Sequence, residues 1–292
     1  MIPLQRWKRR PQGHRIIAAL VLIFSSANLY PALEKQGKSL GVVFPPGETL
    51  VYDIRWGAPA WIFFLPTMSA GEITFTFQGE TDYKGKPALR MTADAISSGF
   101  FSSVAGITVA DSFESFVSAR QFCSLQISKK IREGKRQRDI LLTFDSSNGT
   151  GHYLDQDVSR HPPVELKNQA VQNIPDCVQD LLSAIYYTRT QDLRVGNSVR
   201  MAISDNGTVK NVEIKVDKRE MVDSPKGQLP ALRTEATSVF GGLFRSGGTL
   251  LVWVSDDDRR LPLKFEAKIK LGKVFGTIKT IGNTNKGPNG AP

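Results

Sequence analysis

The 292-residue chain has only two cysteines and three histidines, and no acidic residue before Glu34. Each scarcity removes a class of chemistry. His14, His152 and His161 form no pair at metal-ligand spacing, no HExxH occurs, and neither Cys123 nor Cys177 lies in a CxxC or beside a histidine. A zinc site therefore has no ligand set. There is no GxSxG nucleophile elbow, no GxGxxG and no phosphate-binding loop with its lysine. Ser183 has Tyr186 and Tyr187 nearby but no base in a matching pattern. The sequence nominates no catalytic residue, no metal ligand and no cofactor.

What is present is a globular composition, 40% apolar and 23% charged. The formal charge of +10 is unevenly placed. Arg6, Lys8, Arg9, Arg10 and Arg15 precede an apolar run from Ile16 to Phe24, and Ser25-Ser26-Ala27 follows. That order is a secretory signal, with cleavage expected after Ala27; an uncleaved N-terminal membrane anchor is the alternative. The run is short for a bilayer span. No cysteine precedes Cys123, which excludes a lipid-modified cysteine at the cleavage site. Residues 1–27 hold five of the 38 basic residues and none of the 28 acids, so the mature surplus is half the formal value. Nucleic-acid binding loses its support accordingly. The expected location is the periplasm of a Gram-negative-type bacterium, or its inner membrane through the uncleaved segment. In that compartment Cys123 and Cys177 can bridge or remain two buried thiols; spacing alone decides neither.

The mature sequence alternates. Leu50, Tyr52 and Ile54 share one face of a strand, as do Ile73, Phe75 and Phe77. Further strands are expected at 88–95, 113–117, 123–130, 138–144, 198–203, 209–219, 231–239, 249–254, 263–271 and 276–281, with Asn148-Gly149 and Asn206-Gly207 as turns. Short alternating strands separated by turns indicate an all-β chain, with a strongly curved antiparallel sheet forming a barrel, half-barrel or sandwich. One helix is expected near 176–190, capped by Asp176 with Gln179 at the capping-box position. Residues 84–94 echo residues 226–236, and Phe116-Val117-Ser118 is echoed by Trp253-Val254-Ser255. Internal duplication and chance convergence among hairpins both fit, with 150–195 as the linker. Residues 28–43 read as a flexible segment, 44–281 as one domain and 282–292 as a disordered tail.

Apolar loops supply the candidate contact residues. Trp61, Ile62, Phe63, Phe64 and Leu65 lie between prolines, which prevents a simple strand. Core, ligand or membrane must cover them. Phe100, Phe101, Leu243 and Phe244 are secondary candidates. Gathered at one barrel end, these loops would form an apolar mouth. Asp256-Asp257-Asp258-Arg259-Arg260 reads as a solvated turn. The cations at 129–138 read as a basic patch around another turn, and Glu48, Asp53 and Glu72 as single carboxylates near strand ends.

Several stretches together resemble a family of exported bacterial proteins called DUF3108. They are Gly47-Glu48-x-Leu50-x-Tyr52-x-Ile54-x-Trp56-Gly57, Ala70-Gly71-Glu72, Asp180-x-Leu182-Ser183-Ala184-x-Tyr186-Tyr187-x-Arg189, and Trp253-Val254-Ser255-Asp256-Asp257-x-Arg259-Arg260-x-Pro262, followed by Gly272. The resemblance spans about residues 44–281. It implies export and a single domain, and it brings no activity or catalytic residues. The expected function is a noncatalytic envelope protein that binds a lipid or other apolar ligand, or handles lipoproteins. A carboxylate enzyme acting on a glycan through Asp53, Glu72 or Asp257 is one alternative; a structural or assembly factor presenting a sheet edge is the other. Expected partners are a lipid or membrane surface, or another envelope protein.

Overall fold

A computed structural model describes residues 44–59, 66–106, 108–237, 250–269 and 272–284. The signal segment, Trp61 to Leu65, Leu243 and Phe244 lie outside the described residues. The first strands are β1 (Glu48–Gly57), β2 (Met68–Tyr83) and β3 (Lys86–Ser97), followed by a short helix, α1 (Gly99–Ala105). Then come β4 (Ala110–Ser118), β5 (Ser124–Glu133), β6 (Arg136–Asp145), β7 (Thr150–Asp157), β8 (Val164–Gln172) and the two-residue β9 (Val178–Gln179). Helix α2 (Leu181–Arg189) precedes β10 (Ser198–Asp205), β11 (Thr208–Ser224), β12 (Gly227–Thr237), β13 (Leu250–Ser255), β14 (Pro262–Ile269) and β15 (Gly272–Asn283).

All fifteen strands of the described residues join one sheet, in the order β8-β7-β6-β5-β4-β3-β2-β1-β15-β14-β13-β12-β11-β10-β9. Neighbours pair antiparallel except β9, which runs parallel to β10 through Val178 and Gln179. The two ends of the chain meet in the middle: β1 pairs with β15 from Glu48↔Asn283 to Gly57↔Lys273. Inward residues alternate as the sequence indicates, with Leu50, Tyr52 and Ile54 of β1 all buried. The β10–β11 turn is a two-residue hairpin. Asn206 and Gly207 both take positive φ there, 48° and 76°, which asparagine and glycine tolerate best.

Three sequence expectations need correction. The strongly curved barrel, half-barrel or sandwich is replaced by an open sheet with a linear strand order and two ends, β8 and β9. The chain between these strands explains why they do not pair. After β8, Asn173 takes positive φ and Cys177 is tied by a disulfide to Cys123 in the β4–β5 turn. The next two residues are thereby laid along β10 instead of returning beside β8. The supposed linker at 150–195 also holds two full strands, β7 and β8. The helix begins later than expected. Val178 and Gln179 are committed to β9, so Asp180, not Asp176, is the N-cap, and Ser183, not Gln179, completes the capping box.

The echoed segments hold equivalent rungs. Ala88 of β3 faces Ser118 of β4, and Ala231 of β12 faces Ser255 of β13. A register shift follows Phe116 against β5 and another follows Trp253 against β14.

Helix α2 packs on the buried side of the sheet, where Leu182 and Tyr186 enter the core. Phe44, just before β1, is buried with them; its ring stands edge-on to Phe77 at 4.6 Å and to Tyr186 at 5.2 Å. Cys123 and Cys177 are bridged across 54 residues, with Cα atoms 5.0 Å apart. In the chain-entropy picture a loop of that length is worth about 4 kcal/mol. Cys123→Ser/Cys177→Ser is therefore expected to lower unfolding stability by about 2–4 kcal/mol in denaturant titrations. Equal midpoints for the oxidised protein and the double variant would contradict this.

Candidate functional site

Three of the stretches that carry the family resemblance meet at α2: its own, the start of β1 through Glu48, and the β13–β14 turn through Arg259. At its N-terminus the Asp180 carboxylate accepts four hydrogen bonds. The Leu182 and Ser183 amides donate to Oδ1 at 2.8 and 2.9 Å, and the Ser115 and Ser124 hydroxyls donate to Oδ2 at 2.6 and 2.7 Å. The amides are two that any helix start leaves without intrahelical partners, and the carboxylate also complements the helix dipole. The hydroxyls fasten the cap to β4 and β5. Gln179 adds a bond from its side-chain amide to the Phe122 carbonyl at 2.7 Å, beside the disulfide. Asp180 and Ser183 are fully buried.

At the other end of α2, Arg189 donates to both oxygens of Glu48 on β1, at 2.6 and 3.1 Å. Each side chain is 1% exposed. A second Glu48 contact comes from Arg259 in the β13–β14 turn, at 3.2 Å, and Arg189 also donates to the Arg259 carbonyl at 3.2 Å. The guanidinium lies over the Phe44 ring at 4.7 Å and the Tyr186 ring at 5.5 Å. Tyr52 donates to the Pro262 carbonyl, so β1 is also fixed to the start of β14. Burial pushes the Tyr52 and Tyr186 hydroxyls well above the usual phenol range. Both stay protonated; Tyr52 is a donor, whereas the buried Tyr186 hydroxyl has no hydrogen-bond partner among the described residues.

A second buried ion pair, Lys129 with Asp205, joins β5 to the end of β10. These strands are far apart in the sheet order, so side chains hold here what the backbone ladder does not. Burial raises the Asp205 carboxyl, Lys129 being the main opposing influence, and lowers the Lys210 ammonium beside it. Asp111, at the start of β4, is also raised by burial, to about 6. Its Oδ1 accepts the Arg132 amide at 2.7 Å, whereas Oδ2 has no hydrogen-bond partner among the described residues.

Of the nominated contact residues, only Phe101 has a described side chain. It is buried, 3% exposed, with its ring 6.4 Å from that of Trp56. Phe100 is the second residue of α1, and its side chain is not described. The single carboxylates separate. Glu48 is held by the two arginines. Asp53 faces Glu72 across the β1–β2 rung, where Lys279 binds Glu72; Asp257 instead caps its own turn, accepting from the Arg259 and Arg260 amides. The basic patch is largely paired, through Arg132–Asp139, Arg136–Glu133, Arg138–Asp155 and the buried Lys129. Sequence reading missed Ser115 and Asp111 as buried polar groups. The signal was available, since both sit on the inward alternation of β4 with Phe113 and Val117. Among the described residues there is no cluster of three His, Cys, Asp or Glu that could hold a metal. No described helix is long and apolar enough to cross a membrane.

A large open antiparallel sheet, clasped by one helix through buried polar contacts, is the class of protein defined here. The family model described as a protein of unknown function, DUF3108, matches residues 51–279, and the chain belongs to that family. No curated protein matches it. Among solved structures it is similar to a β-barrel-like protein of the DUF1849 domain of unknown function from Brucella abortus. Identity is 8%, coverage is 82% of this chain and 98% of that one, and the TM-score is 0.54. A putative exported protein with a YmcC-like fold from Bacteroides fragilis covers similar shares, 82% and 97%, at 8% identity and a TM-score of 0.34. The first likeness concerns the fold alone.

Asp180→Ala removes a cap and leaves four donors to find new partners, so a loss of about 3 kcal/mol or more is expected, with Asp180→Asn milder. A loss below about 1 kcal/mol would mean that the cap does not fasten α2. Asp111 gives a pH dependence of opposite sense to the usual carboxylate. Its folded value lies above its unfolded one, so its contribution is present below about pH 4 and lost as pH rises through about 6. Relative to wild type, Asp111→Asn should therefore gain on the order of 2 kcal/mol between pH 4 and pH 7. Parallel stability curves would contradict the shift.

Proposed function

We propose that the protein is a noncatalytic exported protein of the bacterial envelope that docks an extended segment of a partner protein along β8. The observation that carries this reading is the edge itself. β8 runs nine residues, pairs only with β7, and is exposed over most of its length. Val164 and Leu166 are exposed large apolar residues on it. An unpaired strand offers main-chain donors and acceptors to an added strand. A register shift against Asp155/Gln156 bends the first part of β8, and Lys167 lies over the Tyr153 ring at 5.2 Å. Such features blunt the first part of the edge for main-chain pairing, so Asn168 to Gln172 is the straight stretch for pairing and the exposed Val164 and Leu166 are the apolar side-chain anchors for the same segment. Asp180, Ser115, Ser124, Ser183 and Glu48 around α2 support a noncatalytic role because each is engaged in holding the fold. A lipid or apolar ligand is the alternative, carried by loops outside the described residues.

A photo-crosslinking residue at Leu166 or Gln172 is expected to give a discrete protein adduct in intact envelopes, whereas the same residue at the exposed Ile96 gives none. Val164→Lys/Leu166→Lys is expected to abolish the adduct with stability changed by less than about 0.5 kcal/mol. Identical adducts at all positions, or none at β8 together with a lipid in native mass spectra, would overturn the reading.

A further inference from the structure

On the outer side of the sheet, the β2–β3 turn and the β6–β7 turn enclose a cleft of about 430 Å3. Its lining carries both signs of charge: Lys84 and Lys86 come from the first turn, Asp145 and Ser147 from the second, and His152 from β7. Its polar groups are held in place. Ser147 Oγ donates to Asp145 Oδ1 at 2.5 Å and Asn148 Nδ2 donates to Oδ2 at 2.6 Å. These bonds hold the Asp145 carboxyl below its usual range, so it stays ionised. His152 Nε2 is bonded to Asn168 Oδ1 at 2.6 Å, and Asn168 Nδ2 donates to Glu165 at 3.0 Å. That chain orients the ring with Nε2 donating to Asn168 Oδ1, and in the neutral ring Nδ1 is left as an acceptor for a ligand.

A simple anion placed in the cleft meets Asp145, and a simple cation meets the two lysines. A group bearing both charges satisfies both walls. We infer that the cleft binds a phosphate joined to a primary ammonium, the chemistry of phosphoethanolamine, whether free or as a lipid headgroup. Lys84 and Lys86 take the phosphate, and Asp145 with Ser147 and the His152 Nδ1 acceptor takes the ammonium. This site does not rest on partner docking at β8, and either can fail alone.

The test is calorimetric titration of the full chain, disulfide intact, with phosphoethanolamine, inorganic phosphate and ethanolamine, beside flotation with phosphatidylethanolamine and phosphatidylcholine vesicles. Phosphoethanolamine is expected to bind at least about tenfold more tightly than phosphate or ethanolamine. Lys84→Asn/Lys86→Gln should lose about tenfold or more with an unchanged melting temperature; asparagine suits the positive φ of Lys84. Flotation with phosphatidylethanolamine but not phosphatidylcholine supports the site and assigns a lipid source; saturable binding of phosphoethanolamine without flotation supports it and assigns a free one. The inference is overturned if phosphate binds as well as phosphoethanolamine, if the double variant binds as wild type does, or if neither arm shows saturable binding.

Discussion

Everything around α2 depends on one contact, the buried double hydrogen bond between Arg189 and Glu48. Glu48 opens β1, the strand on which both halves of the sheet meet. Arg189 closes the helix, and its remaining contacts reach the β13–β14 turn. Two charges out of water are costly unless each is well partnered. Here Glu48 has two arginines, and the guanidinium has a carboxylate, a carbonyl and two aromatic faces, with only Nε left without a hydrogen-bond partner among the described residues. Removing Glu48 leaves the buried guanidinium without its carboxylate, and removing Arg189 leaves Glu48 in the core with only the 3.2 Å contact to Arg259. The pairing also joins positions 141 residues apart, so the closure of long chain segments is already settled when it forms.

The N-terminal end of the same helix is fixed by different means. Asp180 gathers two backbone amides and two serine hydroxyls, and the Cys123–Cys177 bridge fastens the segment just before it. Together these contacts determine where the sheet stops. The chain leaving β8 is drawn to the β4–β5 turn and laid parallel to β10, so β8 keeps a free edge. The sheet's open architecture and the proposed docking strand thus follow from the same few residues.

Much of this was legible in the sequence. Alternation located most strands, and the Asn206-Gly207 turn is a hairpin for the reason its composition suggests. The helix was legible as an apolar stripe, but its start was not. Asp176 and Asp180 are both acceptable caps by local chemistry, and only the disulfide and the β9 pairing choose between them. Closure was not legible either, because strand count and spacing are the same for an open sheet and a barrel; the path of residues 173–180 decides it. The buried roles of Glu48 and Arg189 were hidden by sequence distance. Each looked like an ordinary charge near an element end, although both stand in the stretches that carry the family resemblance.

The most direct measurement is a double-mutant cycle on Glu48 and Arg189, using Glu48→Gln, Arg189→Met and the pair, followed by denaturant unfolding. If the contact governs the clasp, Arg189→Met costs about 3–5 kcal/mol, and the double variant costs clearly less than the sum of the singles. Small, additive losses would contradict it and would leave α2 held by packing and its N-terminal cap alone.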